Sequence, residues 1–232
     1  MAVPILLYHH IGTPPKSGVP GRSNYVTVEK FKRQMHVLKR LGFQGLSLGE
    51  AMPYIQGKAR GRVAAITFDD GFLSVYQYAM PILDDLGFHA TNFFVSSRMG
   101  LDNAWDNERA QRDKIMTFDD MREWAAHGHE VGGHTLDHLH LKDIPLKEAR
   151  RQIVENKKKL EQELAAPLMS FAYPFGDEND AIREIVKDAG YQCAVTTIKS
   201  RAYGNEDIFE LPRHSIRRND TIVHFLAKCL LR

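Results

Sequence analysis

Val63-Ala-Ala-Ile-Thr-Phe-Asp-Asp-Gly71 is the stretch whose reading decides the fold. Its first part carries no charge and is rich in β-branched and aromatic residues. A short continuous apolar run of this kind reads as a strand buried on both faces, the pattern of a parallel sheet. The run then stops abruptly in two carboxylates and a glycine. In a regular strand Asp69 and Asp70 would point to opposite faces. Gly71 accepts positive φ without steric cost, so a turn there can bring both acids to one place. Two carboxylates together repel, and a cation or a shared proton must compensate. Taken alone, the run reads more simply as Asp-Gly turn chemistry, with the acids capping backbone amides.

Outward from this stretch, short apolar runs alternate with helical patterns. Strands are expected at Val3–Tyr8, Ala90–Val95, Leu168–Tyr173 and Gln192–Thr197, with a short strand or bend at Glu130–Gly133. Helices are expected after Thr27, where Phe31, Met35, Leu38 and Leu41 recur before Gly42. Others follow over Ser74–Leu86 (interrupted at Pro81, closed by Gly87), Thr117–His127, Leu146–Ala165 and Asp180–Ala189. Thr221–Leu231 reads as an amphipathic helix that packs on the body, with a membrane-surface anchor as the lesser reading. Thr13–Asn24 and Gly100–Lys114 are long loops. This βαβα order implies a parallel sheet covered by helices. The number of units fits an α/β fold of the distorted or incomplete (β/α) barrel type, one domain over residues 1–232. Catalytic side chains then belong at the C-terminal ends of strands.

Composition narrows the function classes. In 232 residues, 31 Lys and Arg stand against 29 Asp and Glu, a net charge of +2, which argues against nucleic-acid binding by bulk charge. The two cysteines, Cys193 and Cys229, are far apart and form no CxxC pair, so neither a disulfide nor a cysteine zinc site is expected. The run Val3–Tyr8 is too short for a signal peptide or a membrane span and no basic segment precedes it. As written, the chain is expected in the cytoplasm without stable membrane insertion, and outside it if a signal segment was removed. Its oligomeric state is left open.

Thr67-Phe68-Asp69-Asp70 has a near-copy at Thr117-Phe118-Asp119-Asp120, followed by Met121 instead of glycine. Met121, Trp124 and Ala125 follow at helical spacing, so here Thr117 is an N-cap and the acids sit in a first helical turn. A second cluster is His134-Thr-Leu-Asp-His138. Histidines four apart face one side if the segment is a helical turn or tight loop, and with a carboxylate they make a divalent-metal set with open positions. Two exposed histidines in a His-rich stretch is the plainer alternative. Tyr173-Pro174-Phe175-Gly176 ends another strand and can wall a sugar site or aim a backbone N–H at an oxyanion, or simply be an apolar turn. Arg213 and His214 can act as anion clamp and general acid, or as a surface pair. Tyr8-His9-His10 closes the first strand, and His9 can line the same mouth or be a hydrogen-bonded core histidine.

TFDDG at 67–71, HTxxH at 134–138 and the strand ending Pro174-Phe175-Gly176, in that order, resemble the NodB-homology polysaccharide deacetylases, carbohydrate esterase family 4. The likeness runs from about Val3 to Ile216. Its opening YHHI and its FAYPFG are most similar to the poly-N-acetylglucosamine deacetylase branch. The resemblance implies a distorted barrel and one divalent metal, zinc by preference, with cobalt or nickel as alternatives. It implies Asp69 as general base, Asp70, His134 and His138 as metal ligands, the Phe175 N–H in an oxyanion hole and His214 as general acid. His9, Tyr173, Pro174 and Arg213 would contact substrate. Ala172 departs from the family, which often has an arginine there to orient the base, and Arg213 is a candidate to replace its charge. The aspartate-tryptophan motif of the family is not evident in Val195–Phe209.

The implied reaction is metal-dependent removal of N-acetyl groups from an amino-sugar polysaccharide or oligosaccharide, releasing acetate. The alternatives are a cytoplasmic deacetylase or deformylase of a sugar-lipid or small amide on the same site, and a non-catalytic carbohydrate-binding barrel. The departure at Ala172 is the best support for the last.

Overall fold

A computed structural model describes residues 2–106 and 108–230. The decisive stretch is strand β5 (Val63–Phe68), buried at every position as its unbroken apolar character requires. One edge pairs in parallel with β1 (Ile5–Tyr8), Leu7 opposite Thr67 and Tyr8 opposite Phe68. Its other edge pairs first with β4 (Gln44–Leu46) and then with β6 (Thr91–Phe94). The sheet continues through β7 (Glu130–Gly133), β8 (Ser170–Ala172) and β9 (Cys193–Val195), while β10 (His214–Ser215) flanks β1 on the other side. A parallel bridge between Val195 and Leu211 spans part of the gap between the two ends. The all-parallel sheet curls into an incomplete (β/α) barrel, as the alternation of elements predicts. A two-stranded pair, β2 (His10–Ile11) and β3 (Tyr25–Val26), lies beside the mouth.

Strand alternation sorts the core into two layers. Ile5, Val63, Ala65, Phe93, Ala172, Val195 and Leu211 fill the barrel interior. Leu6, Tyr8, Ile66, Phe68, Phe171 and Tyr173 face outward into the layer shared with the helices. Those helices are α1 (Val28–Arg40), α3 (Met80–Leu86), α4 (Phe118–Ala126), α5 (Leu146–Leu164), α6 (Asp180–Asp188) and α7 (Ile222–Leu230). The helix α2 (Leu48–Ile55) instead packs Leu48, Ala51 and Ile55 on the interior layer.

Local signals explain most boundaries. Thr27 Oγ1 accepts from the Lys30 N–H and caps α1, and Gly42 follows with φ 76°. Thr117 and Asp120 form a reciprocal capping box on α4. The strands at 168–173 and 192–197 are shorter than the apolar runs that predict them. The expected helix at 74–86 opens as a π-helical turn, Val75–Ala79, before α3. Leu231, at the end of the expected last helix, lies outside the described residues. No helix is long and apolar enough to cross a membrane among the described residues.

Candidate active site

The mouth lies where β1, β5, β7 and β8 stop, and each contributes. At the end of β5 the chain turns one residue earlier than Gly71 alone would allow. Asp70 itself takes a left-handed φ of 78°, and Gly71 follows at 73°. A Cβ on Gly71 would lie 2.7 Å from the Phe94 ring, so only glycine fits the second step. Asp69 thereby points into the barrel top and Asp70 over it. Both are buried, at 3% and 6% exposure.

The segment after β7 is a tight loop, not a helical turn. Thr135 and His138 have φ of 66° and 58°, and the Thr135 Oγ1 accepts from the His138 N–H at 3.1 Å. Asn156 of α5 clamps the loop by donating to the carbonyls of Thr135 and Phe94, at 2.6 and 3.0 Å. Both imidazoles reach Asp70, with His134 Nε2 and His138 Nε2 each 3.3 Å from Asp70 Oδ1. Among the described residues Asp70, His134 and His138 converge as a possible metal-ligand group, their ligand atoms within 4.8 Å of one another.

The donor chemistry fits a divalent cation. His134 Nδ1 lies 2.7 Å from the Ala172 carbonyl, which only accepts, so that nitrogen carries the proton and Nε2 keeps its lone pair. That lone pair faces the buried carboxylate oxygen Asp70 Oδ1, which has no hydrogen-bond donor. Acceptor against acceptor, buried, calls for a cation between them.

Asp69 is held differently. Arg213, completely buried, grips it with two parallel hydrogen bonds, Nη1 to Oδ1 and Nη2 to Oδ2, each 2.7 Å. The guanidinium is fixed in turn by Nε donation to the Thr196 carbonyl at 2.8 Å. Burial alone would raise the Asp69 carboxyl. The Arg213 guanidinium, with His134 behind it, more than offsets this and holds it below the usual carboxylate range. Asp70 is likewise raised by burial, and the two imidazoles facing it, His134 and His138, bring it well below that range. Five non-glycine residues have positive φ among the described residues: Asp70, Thr135, His138, Phe175 and Ala165. All but Ala165, a helix C-cap, belong to this mouth, the expected place for stored backbone strain.

A polysaccharide deacetylase family model matches residues 56–194, which contain both acids and both histidines. The chain belongs to the polysaccharide deacetylase family. Poly-beta-1,6-N-acetyl-D-glucosamine N-deacetylase of Staphylococcus aureus (strain MRSA252) is 25% identical over 211 residues, covering 88% of this chain and 72% of that one. Peptidoglycan-N-acetylglucosamine deacetylase of Bacillus cereus is 28% identical over 159 residues, 67% of each. The fold matches the solved Streptococcus pyogenes deacetylase PplD with a TM-score of 0.85 at 24% identity, covering 99% of this chain and 98% of that one.

Within this deacetylase barrel, three of the expected substrate contacts and the expected acid are placed elsewhere. Arg213 touches no open space. It is wholly buried beneath Asp69, supplying from β10's approach the cation that Ala172 lacks. His214 is next in the chain, so alternation turns it the other way. It sits beside Leu6, whose side faces the helix layer, and burial with the charges of Lys228 and Arg201 lowers its pKa. Tyr173 also points outward, its hydroxyl donating to the Phe209 carbonyl at 2.9 Å, and Pro174 is buried. Phe175 does reach the mouth, with φ 60° and 46% exposure, its ring 3.7 Å from that of His140. His9 lines the cleft with Asp69, Asp70, His134 and His138, around a volume of about 120 Å³. Burial lowers its pKa and the charges of Asp70 and Asp69 partly restore it.

Sequence reasoning missed Trp105 and Asp106, which the loop after β6 lays across the cleft. The Trp105 ring stacks 5.0 Å from His138. A lone tryptophan among charged residues of a long loop, Gly100–Lys114, is the signal that was available.

Proposed function

We propose that the barrel hydrolyses an N-acetyl group on an amino-sugar glycan, consuming water and releasing acetate and the free amine. The observation that carries this reading is the division of labour between neighbouring acids. Asp70 converges with two histidines, whereas Asp69 is held ionised by Arg213 and stays out of that set. The names of the relatives, both acting on N-acetylglucosamine, support that sugar as the substrate.

Asp70, His134 and His138 would hold one divalent metal, zinc by preference. When bound, such an ion would polarise the amide carbonyl and acidify water. Asp69 is the general base and accepts the proton of the attacking water, its basicity limited and its orientation fixed by Arg213. The Phe175 N–H, in its left-handed turn at the mouth, is the donor for the developing oxyanion. With His214 turned away, His9 is the histidine that delivers a proton to the departing amine. It lines the cleft together with both acids. The charge missing at Ala172 is present on Arg213, which weighs against a binding-only barrel.

A base that must be ionised and an acid that must be protonated give a bell-shaped pH–rate profile. The rate is lost on the acid side as Asp69 takes up a proton and on the alkaline side as His9 gives one up. His9→Gln should remove the alkaline limb and lower kcat about 10²–10⁴-fold while metal content is unchanged. An unchanged alkaline limb would remove His9 from that role.

A further inference from the structure

The end of the barrel away from the mouth holds a cavity of about 770 Å³. It lies where strands begin. Val3 comes just before β1, Phe43 just before β4, and Val63 is the first residue of β5. Cys229 and Leu230, the last turn of α7, close one side. The volume is that of a small-molecule site and several times that of the cleft at the mouth.

The lining has two characters. Val3, Phe43, Tyr54, Val63 and Leu230 form an apolar wall. Arg60 and Arg62 stand on it at the end of the loop Gly57-Lys-Ala-Arg-Gly-Arg62, a run with three cations and no acid. No aspartate or glutamate lines the cavity. Among the described residues no carboxylate pairs with Arg60 or Arg62. The place of Arg62 is set before any ligand arrives. Its carbonyl accepts from the Gln44 N–H at 2.8 Å, and its guanidinium lies 4.8 Å over the centre of the Phe43 ring. The walls are tied together by Arg201, which donates to the carbonyls of Ala2 and Leu230. A preset site of this kind loses little freedom on binding.

The two ends of the barrel therefore suit opposite ligands. The mouth presents the carboxylates of Asp69 and Asp70, which repel an anion. The far cavity has no carboxylate to meet an amine and few groups for sugar hydroxyls, so neither the glycan nor its free amine fits it. Arginine forks match phosphate oxygens in pairs, and two of them match the charge of about −1.5 to −2 on a phosphate monoester. The apolar wall beside them calls for an apolar chain on the same molecule.

We propose that this cavity binds a phosphate monoester carrying an apolar chain, with Arg60 and Arg62 on the phosphate and the chain laid along Val3, Tyr54, Val63 and Leu230. The site stands apart from the deacetylase reading, and its failure would leave that reading untouched. It joins residues from both ends of the sequence and from the loop after α2. A ligand there holds only the folded chain and should raise the melting temperature.

The test is calorimetric titration with octyl phosphate, inorganic phosphate and 1-octanol, with melting curves alongside. The proteins are wild type, Arg60→Gln and Arg60→Gln/Arg62→Gln. Both arginines are exposed, so the substitutions spare the fold. Wild type should bind one octyl phosphate with a Kd of about 100 μM, and either half of the molecule at least about tenfold more weakly. Arg60→Gln should weaken octyl phosphate about threefold or more and the double variant about tenfold or more, with 1-octanol unaffected. Chelator should change nothing, because the metal-ligand group lies at the other end. No saturable binding by wild type would overturn the proposal. So would inorganic phosphate or 1-octanol binding as tightly as octyl phosphate, wild-type affinity in both variants, or binding that chelator abolishes.

Discussion

Thr-Phe-Asp-Asp occurs twice, and the two copies do unrelated work. At 67–70 the run ends a buried strand. Its acids are nearly inaccessible and are held by Arg213 in one case and by two histidines in the other. At 117–120 it opens α4. Asp120 caps the Thr117 N–H at 2.8 Å, while the Asp119 side chain is 89% exposed and pairs with Arg122 on the surface. What separates them is the next residue and the element behind. Gly71 lets the chain turn, whereas Met121 buries itself under the helix. Four identical residues therefore carry chemistry only where the backbone is strained and water is excluded.

The contrast can be broken at several depths. The deepest is Arg213→Met. It leaves Asp69 buried and unpaired, which should cost about 3–5 kcal/mol in chemical denaturation. Burial then acts on Asp69 without its main counterweight and its pKa rises, so the acid limb of the pH–rate profile should move to higher pH. A limb that stayed in place would mean that Arg213 does not set the base. Next comes Gly71→Ala, which forces a Cβ to 2.7 Å from the Phe94 ring at φ 73°. We expect a loss of about 1–3 kcal/mol and weaker metal binding by titration, because Asp70 shifts with the turn. The second copy should respond only through its helix. Asp120→Ala removes a cap and should cost about 1 kcal/mol with turnover unchanged. Asp119→Asn should stay within about 0.5 kcal/mol of wild type in the same melt. Any fall in turnover from either would contradict the separation.

Much of this is legible in the sequence, for definite reasons. Parallel strands buried on both faces announce themselves as apolar runs, and the ligand residues follow them directly, so Asp69, Asp70, His134 and His138 can be placed at one mouth. Thr27 and Thr117 mark their helices because cap chemistry is local. Side-chain direction is harder. Arg213 and His214 are adjacent, and which one enters the barrel depends on the register of a two-residue strand against β1, with Leu6 opposite His214. Tyr173 eluded the reading for the same reason. The segment β4–α2 was overlooked, although Ser47 and Glu50 form a capping box whose spacing is visible in the sequence. Gly49 and Pro53 mask its helical pattern. The Asp113 carboxylate meets His10 and the Tyr25 hydroxyl, and no local pattern reports a contact of that range.

The central claim is that Asp69 is a base beside, and not part of, a metal site. The most direct measurement is acetate release from N-acetylglucosamine oligosaccharides by wild type and Asp69→Asn, each loaded with zinc, cobalt or nickel, with and without chelator. Wild-type release should be abolished by chelator. Asp69→Asn should bind one metal as tightly as wild type and turn over about 10²–10⁴-fold more slowly. Chelator-insensitive release, or an Asp69→Asn variant with near-normal turnover, would contradict the account.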